Sequence, residues 1–272
     1  MFYDKLDLKN NTTLDETHLA HIENGIVAAN TSVFKDKKLS IMGDSISTFK
    51  GYIPSGNSVY YTGSNCEVPT VEDTWWKKVI NALEMKLCVN QSWSGSSVTN
   101  CKSAYGENSY GHTDYRTSRL SDDTNSPDVI IVYLGTNDLL TLAKTSVGAY
   151  NGTTDTMPTD ITTFREAYAI MLNKITTNYP MAKLYCCTLI PSGNYNPIKN
   201  VSKFIAFNNA IKEVGNVFNA EIINLSACGI NAHNTTTYLP SSGGTLHPNA
   251  AGHSLIANQV IKTLDPTVRI RY

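Results

Sequence analysis

The chain has 272 residues, of which 41% are hydrophobic, and its formal net charge at pH 7 is −1. This length and composition suffice for one sizeable core, and so small a net charge argues against nucleic-acid and membrane-surface partners. No stretch reaches the roughly 18 apolar residues of a membrane span. The N-terminus has no basic region followed by an apolar run, so we expect no secretory signal.

The first 36 residues are predicted to form a helical segment that is separate from a domain at 37–272. Thr13 and Glu16 fit a capping box at the start of a helix. Apolar residues then recur at spacings of three and four, which is typical of a coiled-coil seam: Leu19, Ile22, Ile26, Ala29 and Val33. Because so short a helix is marginal in isolation, we predict that the seam packs on the domain or on copies of itself.

After residue 37, strand-like and helical patterns alternate along the chain. The strand-like runs are 38–43, 86–91, 128–134, 182–190 and 221–225, and the helical patterns lie near 72–84, 160–179, 200–218 and 249–263. This alternation predicts an α/β fold with a mostly parallel, five-stranded sheet that helices cover on both faces. Pro248 is predicted to occupy the first position of the last helix.

The first strand-like run leads into Gly43-Asp44-Ser45. Gly43 can supply a sharp turn, and Asp44 and Ser45 favour the start of a helix. The serine would then lie at the carboxyl end of a strand, which is where open α/β sheets bind ligands. Backbone N–H groups at a helix start can also stabilise a developing oxyanion.

Three further strings follow in the sequence: Asn90 with Gly95 five residues later, Gly135-Thr136-Asn137-Asp138, and Leu246-His247-Pro248-Asn249. Two of them directly follow strand-like runs, so they should gather at the same sheet edge as Ser45. Together with Gly-Asp-Ser, and in this order, they resemble the sequence blocks of GDSL-type serine hydrolases of the SGNH superfamily. The resemblance implies a flavodoxin-like, three-layer α/β/α sandwich that hydrolyses esters.

The matched blocks imply a role for each of four residues. A serine hydroxyl is a poor nucleophile until a base removes its proton, and neutral imidazole titrates near working pH. Ser45 is therefore the expected nucleophile and His247 the expected base. The Ser45 N–H, the Gly95 N–H and the Asn137 amide are expected to form the oxyanion hole. Two neighbouring residues are expected to support the site: Asp44 and Asp138. We expect no metal and no cofactor.

The sequence departs from the family near the histidine. The family carries an aspartate three residues before it, and this chain has Gly244 there. A main-chain carbonyl near Gly243 or Gly244 can orient His247, a carboxylate from elsewhere can do so, or the enzyme is impaired; we favour the carbonyl. His253 competes for the role of base, but its ring should point elsewhere, so we expect a structural role for it.

Cysteine and histidine spacings indicate no metal site. The six cysteines are at positions 66, 88, 101, 186, 187 and 228. Cys186 and Cys187 lie in an apolar run and are predicted to be core residues with free thiols. Pairing of Cys66 with Cys101 is not favoured. His18 and His21 are expected to be solvated on the N-terminal helix.

Three long loops are predicted to wall the site, at 49–70, 99–126 and 141–159. They carry several tyrosines, whose ring faces and polar tips suit a sugar better than an acyl tail. Trp93 and Tyr150 are the expected wall residues. We therefore predict a serine esterase that acts on small acyl esters, with acetyl groups on a carbohydrate as the favoured substrate.

Two alternatives remain open from the sequence. One is a lipase or thioesterase for longer acyl chains. The other is a carbohydrate-binding virion protein with weak catalysis, which Gly244 favours. Residues 14–26 also resemble a segment common near the start of bacteriophage tail and baseplate proteins. The location is not determined by the sequence; without a visible signal peptide, we expect the cytoplasm or a virion, in a bacterium or a phage.

Overall fold

The structure, a computed structural model, describes residues 15–30, 32–64, 67–101, 106–140, 145–149, 159–193, 195–240 and 245–267. Within these ranges the sheet has five strands: β1 (Lys38–Gly43), β2 (Lys86–Asn90), β3 (Val129–Tyr133), β4 (Lys183–Cys187) and β5 (Glu221–Ile223). The strands begin within one residue of the predicted runs and end up to three residues earlier. The largest difference is at 182–190, because the chain leaves the sheet after Cys187.

The strand order is β2-β1-β3-β4-β5, and every neighbouring pair is parallel. This is the flavodoxin-like order, in which ligands bind beyond the carboxyl ends of the strands, where the order reverses around β1 and β3. All five residues of β3 are buried, and all are apolar or aromatic, as expected for a strand with both faces covered. The predicted fold class is confirmed.

The helices of the described residues are α1 (Glu16–Asn30), α2 (Trp75–Ala82), α3 (Asp114–Thr117), α4 (Thr136–Leu140), α5 (Phe164–Asn178), α6 (Val201–Val217), α7 (Thr235–Tyr238) and α8 (Ala250–Leu264). Helix α2 packs against α8, and α5 packs against α6, so that helices cover both faces of the sheet. The prediction that Pro248 opens the last helix is wrong. Asn249 is the N-cap of α8, because its side chain accepts a hydrogen bond from the Gly252 N–H at 2.9 Å.

The N-terminal helix α1 differs from the predicted seam at its end. It stops at Asn30, so Val33 lies beyond it and is 75% exposed. The Val33 N–H donates to Asp265 Oδ2 at 3.3 Å, which turns the chain toward the domain instead of continuing the helix. Leu19 and Ile22 are 49% and 37% exposed, so the domain does not cover them. Self-association therefore stays a prediction, and the side chains of Ile26 and Ala29, like Thr13, lie outside the described residues.

Cys186 and Cys187 are buried in β4 with free thiols, as predicted. Cys66 lies outside the described residues, so its pairing with the buried Cys101 is not tested. His18 Nδ1 lies 2.6 Å from Asp15 Oδ1 on an exposed surface. In the described part of the chain, no three His, Cys, Asp or Glu side chains form a group that could hold a metal. None of the described helices is long and apolar enough to cross a membrane.

Candidate active site

Ser45 lies in the turn that follows β1. Gly43 ends the strand, and Asp44 caps a three-residue 3-10 helix, Ser45–Ser47, by accepting a hydrogen bond from the Ile46 N–H at 3.0 Å. The expected helix start is therefore present, but the helix ends after a single turn. The serine is only 6% exposed, so the nucleophile turn, residues 43–47, is held within the structure and not on a mobile surface loop.

His247 contacts Ser45 although the two residues are far apart in the sequence. Its Nε2 lies 2.8 Å from Ser45 Oγ, although the two residues are 202 positions apart. With Nε2 unprotonated, the serine hydroxyl donates this hydrogen bond, and the imidazole is placed to accept the proton during attack. The structure thus brings the two expected catalytic residues together.

His253, the competing histidine, lies in the core on α8. Its Nδ1 accepts a hydrogen bond from the Trp75 N–H at 3.1 Å, and its side chain is fully buried. Burial lowers the pKa of His253 to about 3, so its ring is neutral at ordinary pH. These contacts support the expected structural role.

Gly95 and Asn137 follow β2 and β3 at the same edge of the sheet. Gly95 has a φ of 80°, a conformation that favours glycine. Asn137 Nδ2 donates to the Ser96 carbonyl at 2.8 Å, which places the amide beside the residue after Gly95. The Trp93 N–H donates to the Gly43 carbonyl at 3.1 Å and joins this segment to the nucleophile turn. The segments expected to supply oxyanion donors therefore lie side by side.

The two expected supporting aspartates are fully buried. Asp138 accepts hydrogen bonds from the Val98 N–H at 2.8 Å, the Thr99 N–H at 2.9 Å and Thr99 Oγ1 at 2.7 Å, so it shapes the segment after Gly95. Burial raises the pKa of Asp138 to about 6, although the Thr99 and Val98 bonds oppose the shift. Burial also raises the pKa of Asp44 to about 6, and the Ile46 N–H bond opposes it.

A buried serine beside a histidine, next to two segments expected to supply hydrogen-bond donors, fits an ester hydrolase. The family model described as GDSL-like lipase/acylhydrolase matches residues 37–264. The chain belongs to this family. It is therefore a carboxylic ester hydrolase. No curated protein sequence matches it significantly.

Solved structures with the fold of this GDSL-like hydrolase align with most of the chain. A protein from Bacteroides ovatus named as a GDSL-like lipase is 28% identical, with a TM-score of 0.63 over 83% of this chain and 96% of that one. A similarly named protein from Bacteroides uniformis is also 28% identical, with a TM-score of 0.63 over 85% and 96%. An acetylxylan esterase from Geobacillus stearothermophilus, at 16% identity and a TM-score of 0.55 over 89% and 100%, shares the fold.

The GDSL-like hydrolase also buries an arginine that no sequence pattern indicates. Arg116, on α3, donates from Nη1 to Ser96 Oγ and to the Ser109 carbonyl, both at 2.7 Å. Its Nη2 donates to the Gly43 carbonyl at 2.9 Å and to the Gln91 carbonyl at 2.7 Å. One guanidinium therefore joins the ends of β1 and β2 to the segment that bears the expected oxyanion donors.

The charge of Arg116 persists at neutral pH. Burial lowers the pKa of Arg116 to about 9, and the carboxylate of Asp44 opposes this shift. Nothing in the sequence marked this residue, because an isolated arginine in loop-like sequence is normally solvated.

Two consecutive tyrosines surround His247. The Tyr60 ring stacks on the imidazole, with ring centroids 3.5 Å apart and planes 14° apart. The Tyr61 ring meets it edge to face at 6.3 Å, and the Tyr61 hydroxyl donates to the Pro248 carbonyl at 2.8 Å. The sequence predicted an aromatic loop at the site but gave no sign that one of its rings contacts the base.

The expected wall residues remain predictions. Trp93 is half-buried and packs edge to face on Tyr115, with centroids 6.3 Å apart. The guanidinium of Arg119 lies over the Tyr115 ring, 3.9 Å from its centroid. Tyr150 lies outside the described residues, as do Gly243 and Gly244, so the acceptor that orients His247 Nδ1 also remains a prediction.

Proposed function

We propose that this esterase hydrolyses small acyl esters, and acetyl groups on carbohydrates in particular, with Ser45 as nucleophile and His247 as general base. The observation that carries the proposal is the 2.8 Å hydrogen bond between Ser45 Oγ and His247 Nε2. It joins a weak nucleophile to the base that such a nucleophile needs.

The reaction follows from this geometry. Ser45 Oγ attacks the ester carbonyl while His247 Nε2 takes the hydroxyl proton. The Ser45 N–H, the Gly95 N–H and the Asn137 amide then stabilise the oxyanion, and one such donor is worth about 10²–10³ in rate. Collapse of the tetrahedral intermediate expels the alcohol, which takes its proton from His247. Water, activated by the same imidazole, releases the acid and restores Ser45.

The substrate class is inferred from the surroundings of the serine. Tyr60, on the predicted wall loop 49–70, is partly buried and stacks on His247. Tyrosine rings offer apolar faces and polar tips, which match the faces and hydroxyls of sugar rings. The fold shared with an acetylxylan esterase supports the choice of acetylated xylo-oligosaccharides as the first test substrate.

The first test uses the nucleophile and base variants. Ser45→Ala and His247→Ala should each lower kcat for p-nitrophenyl acetate by several orders of magnitude, and by comparable amounts, because the pair acts as one unit. An organophosphonate should label the unaltered protein stoichiometrically and should not label Ser45→Ala. A carbohydrate-binding protein with weak catalysis would not be labelled, and full turnover by Ser45→Ala would overturn the proposal.

A second candidate is a hydrolase for longer acyl chains, which the names of the two Bacteroides proteins favour. p-Nitrophenyl esters from two to eight carbons separate the candidates. For an acetylesterase, kcat/KM should be highest for acetate, because a closed acyl pocket rejects long chains. A value that rises steadily to eight carbons would favour the second candidate, since each added methylene would gain binding energy.

A further inference from the structure

The contact between Tyr60 and His247 brings an electron-rich ring face against the proposed base. The centroids are 3.5 Å apart and the planes nearly parallel, at 14°. An aromatic face carries partial negative charge and attracts a cation placed over it. His247 becomes such a cation each time it takes the proton of Ser45 or of the attacking water.

A hydrogen-bond chain holds Tyr60 in place. Thr48 Oγ1 donates to the Ser45 carbonyl at 2.9 Å and accepts from the Tyr60 N–H at 2.9 Å. The Lys50 N–H donates to the Tyr61 carbonyl at 2.9 Å, which holds together the two ends of the loop between these residues. The ring that stacks on the base is therefore attached, through one threonine, to the turn that carries the nucleophile.

We propose that Tyr60 is a positioning residue, whose ring face holds the His247 imidazole against Ser45 and stabilises the imidazolium formed during acylation and deacylation. The proposal rests on the proposed roles of Ser45 and His247. It gives the chain a source of stabilisation for the charged base that does not depend on an aspartate at position 244, where the sequence has glycine.

Several groups in the described residues face this imidazole. Tyr60 and Tyr61 face it from the loop after the nucleophile turn, and the Ser45 hydroxyl faces it from that turn. His253, on α8, also interacts electrostatically with His247, but it is neutral above a pKa of about 3. Variants that differ only in the ring at position 60 leave these groups in place, so a comparison between such variants isolates the effect of the ring face.

The test compares Tyr60→Leu, which removes the ring face, with Tyr60→Phe, which keeps it. Measurements are kcat and KM for p-nitrophenyl acetate from pH 5 to 9. We expect Tyr60→Leu to lose about 3- to 30-fold in kcat, from the usual strength of a cation–π contact, and Tyr60→Phe to stay within about twofold of the unaltered enzyme. Because the ring favours the charged base, its loss should also move the acidic limb of kcat/KM to lower pH.

A graded series guards against misfolding of the leucine variant. Phenylalanine, 4-fluorophenylalanine and 3,4,5-trifluorophenylalanine at position 60 have nearly the same shape, but the ring face loses negative charge along the series. We expect log kcat to fall stepwise along it. Equal kcat values across the series, or an unmoved acidic limb in a folded Tyr60→Leu, would overturn this proposal. Loss of the proposed function itself would appear separately, as full activity in Ser45→Ala.

Discussion

Substitution of the buried Arg116 tests whether its hydrogen bonds fix the segments that are expected to supply the oxyanion donors. Arg116→Met removes four hydrogen bonds from a charged donor, to Ser96 Oγ and to the carbonyls of Gly43, Gln91 and Ser109. Each such bond contributes about 1.5–3 kcal/mol, and a buried acceptor left without a donor costs about 1–3 kcal/mol. Desolvation of the guanidinium, which costs several kcal/mol, offsets most of the sum.

Second donors further limit the loss. The Gly43 carbonyl keeps the Trp93 N–H, and the Ser109 carbonyl keeps Ser96 Oγ. We therefore expect a net loss of about 2–4 kcal/mol in the free energy of unfolding, dominated by the Gln91 carbonyl. At about 2–4 °C for each kcal/mol in a domain of this size, Tm should fall by roughly 4–16 °C.

Arg116→Met should also lower activity, because Ser96 carries the hydrogen bond that fixes the Asn137 amide. We expect kcat for p-nitrophenyl acetate to fall about 10- to 100-fold, less than the loss of a whole oxyanion donor, with KM nearly unchanged. Arg116→Lys is the matched control. Lysine keeps the charge without the planar fork of the guanidinium. The Tm and kcat of this variant should therefore lie between those of the unaltered enzyme and those of Arg116→Met. A methionine variant with unaltered Tm and kcat would refute the reasoning.

Three further predictions concern the turn, the buried histidine and the N-terminal helix. Gly43→Ala should lower kcat at least about tenfold, because a Cβ there would lie 2.6 Å from Ser47 Oγ and shift the nucleophile turn; steady-state kinetics that match the unaltered enzyme would contradict this. His253→Asn should keep most activity. The folded state resists protonation of His253 down to about pH 3, whereas the unfolded chain binds that proton below about pH 6.5, so stability present above pH 6.5 is lost as pH falls. Between pH 7 and pH 4, Tm should therefore drop less in His253→Asn than in the unaltered enzyme. Equal drops would contradict this prediction. With Leu19 and Ile22 exposed on α1, light scattering should show an oligomer for the full chain and a monomer for residues 37–272; monomers in both cases would exclude self-association.

Local patterns predicted the features that depend on neighbouring residues. The apolar run of β3 and the Gly-Asp-Ser turn after β1 were readable because burial on both faces and a tight turn each leave a short signature. The four ordered blocks also made it possible to predict the pairing of Ser45 with His247. The end of α1 at Asn30 was not predictable, because the spacing of apolar residues continues to Val33 while the chain turns toward Asp265.

Two other contacts between distant parts of the chain left no such signature. Arg116 bonds to Gly43, 73 positions away, and nothing in the residues around it distinguishes a buried arginine from a solvated one. The stacking of Tyr60 on His247 likewise depends on how a long loop folds over the sheet edge. Both contacts involve residue types that are common on surfaces, and only the tertiary structure selects them.

The hydrogen bond between Ser45 and His247 joins residues 202 positions apart, and four of the five described strands lie between them in the sequence. The two side chains therefore meet only when the sheet is formed and the segment before α8 lies against it. Cleavage of the chain between β5 and His247 should therefore separate Ser45 from its proposed base. Recovery of esterase activity after denaturation should accordingly report the docking of the segment that bears His247, and not merely the formation of the sheet.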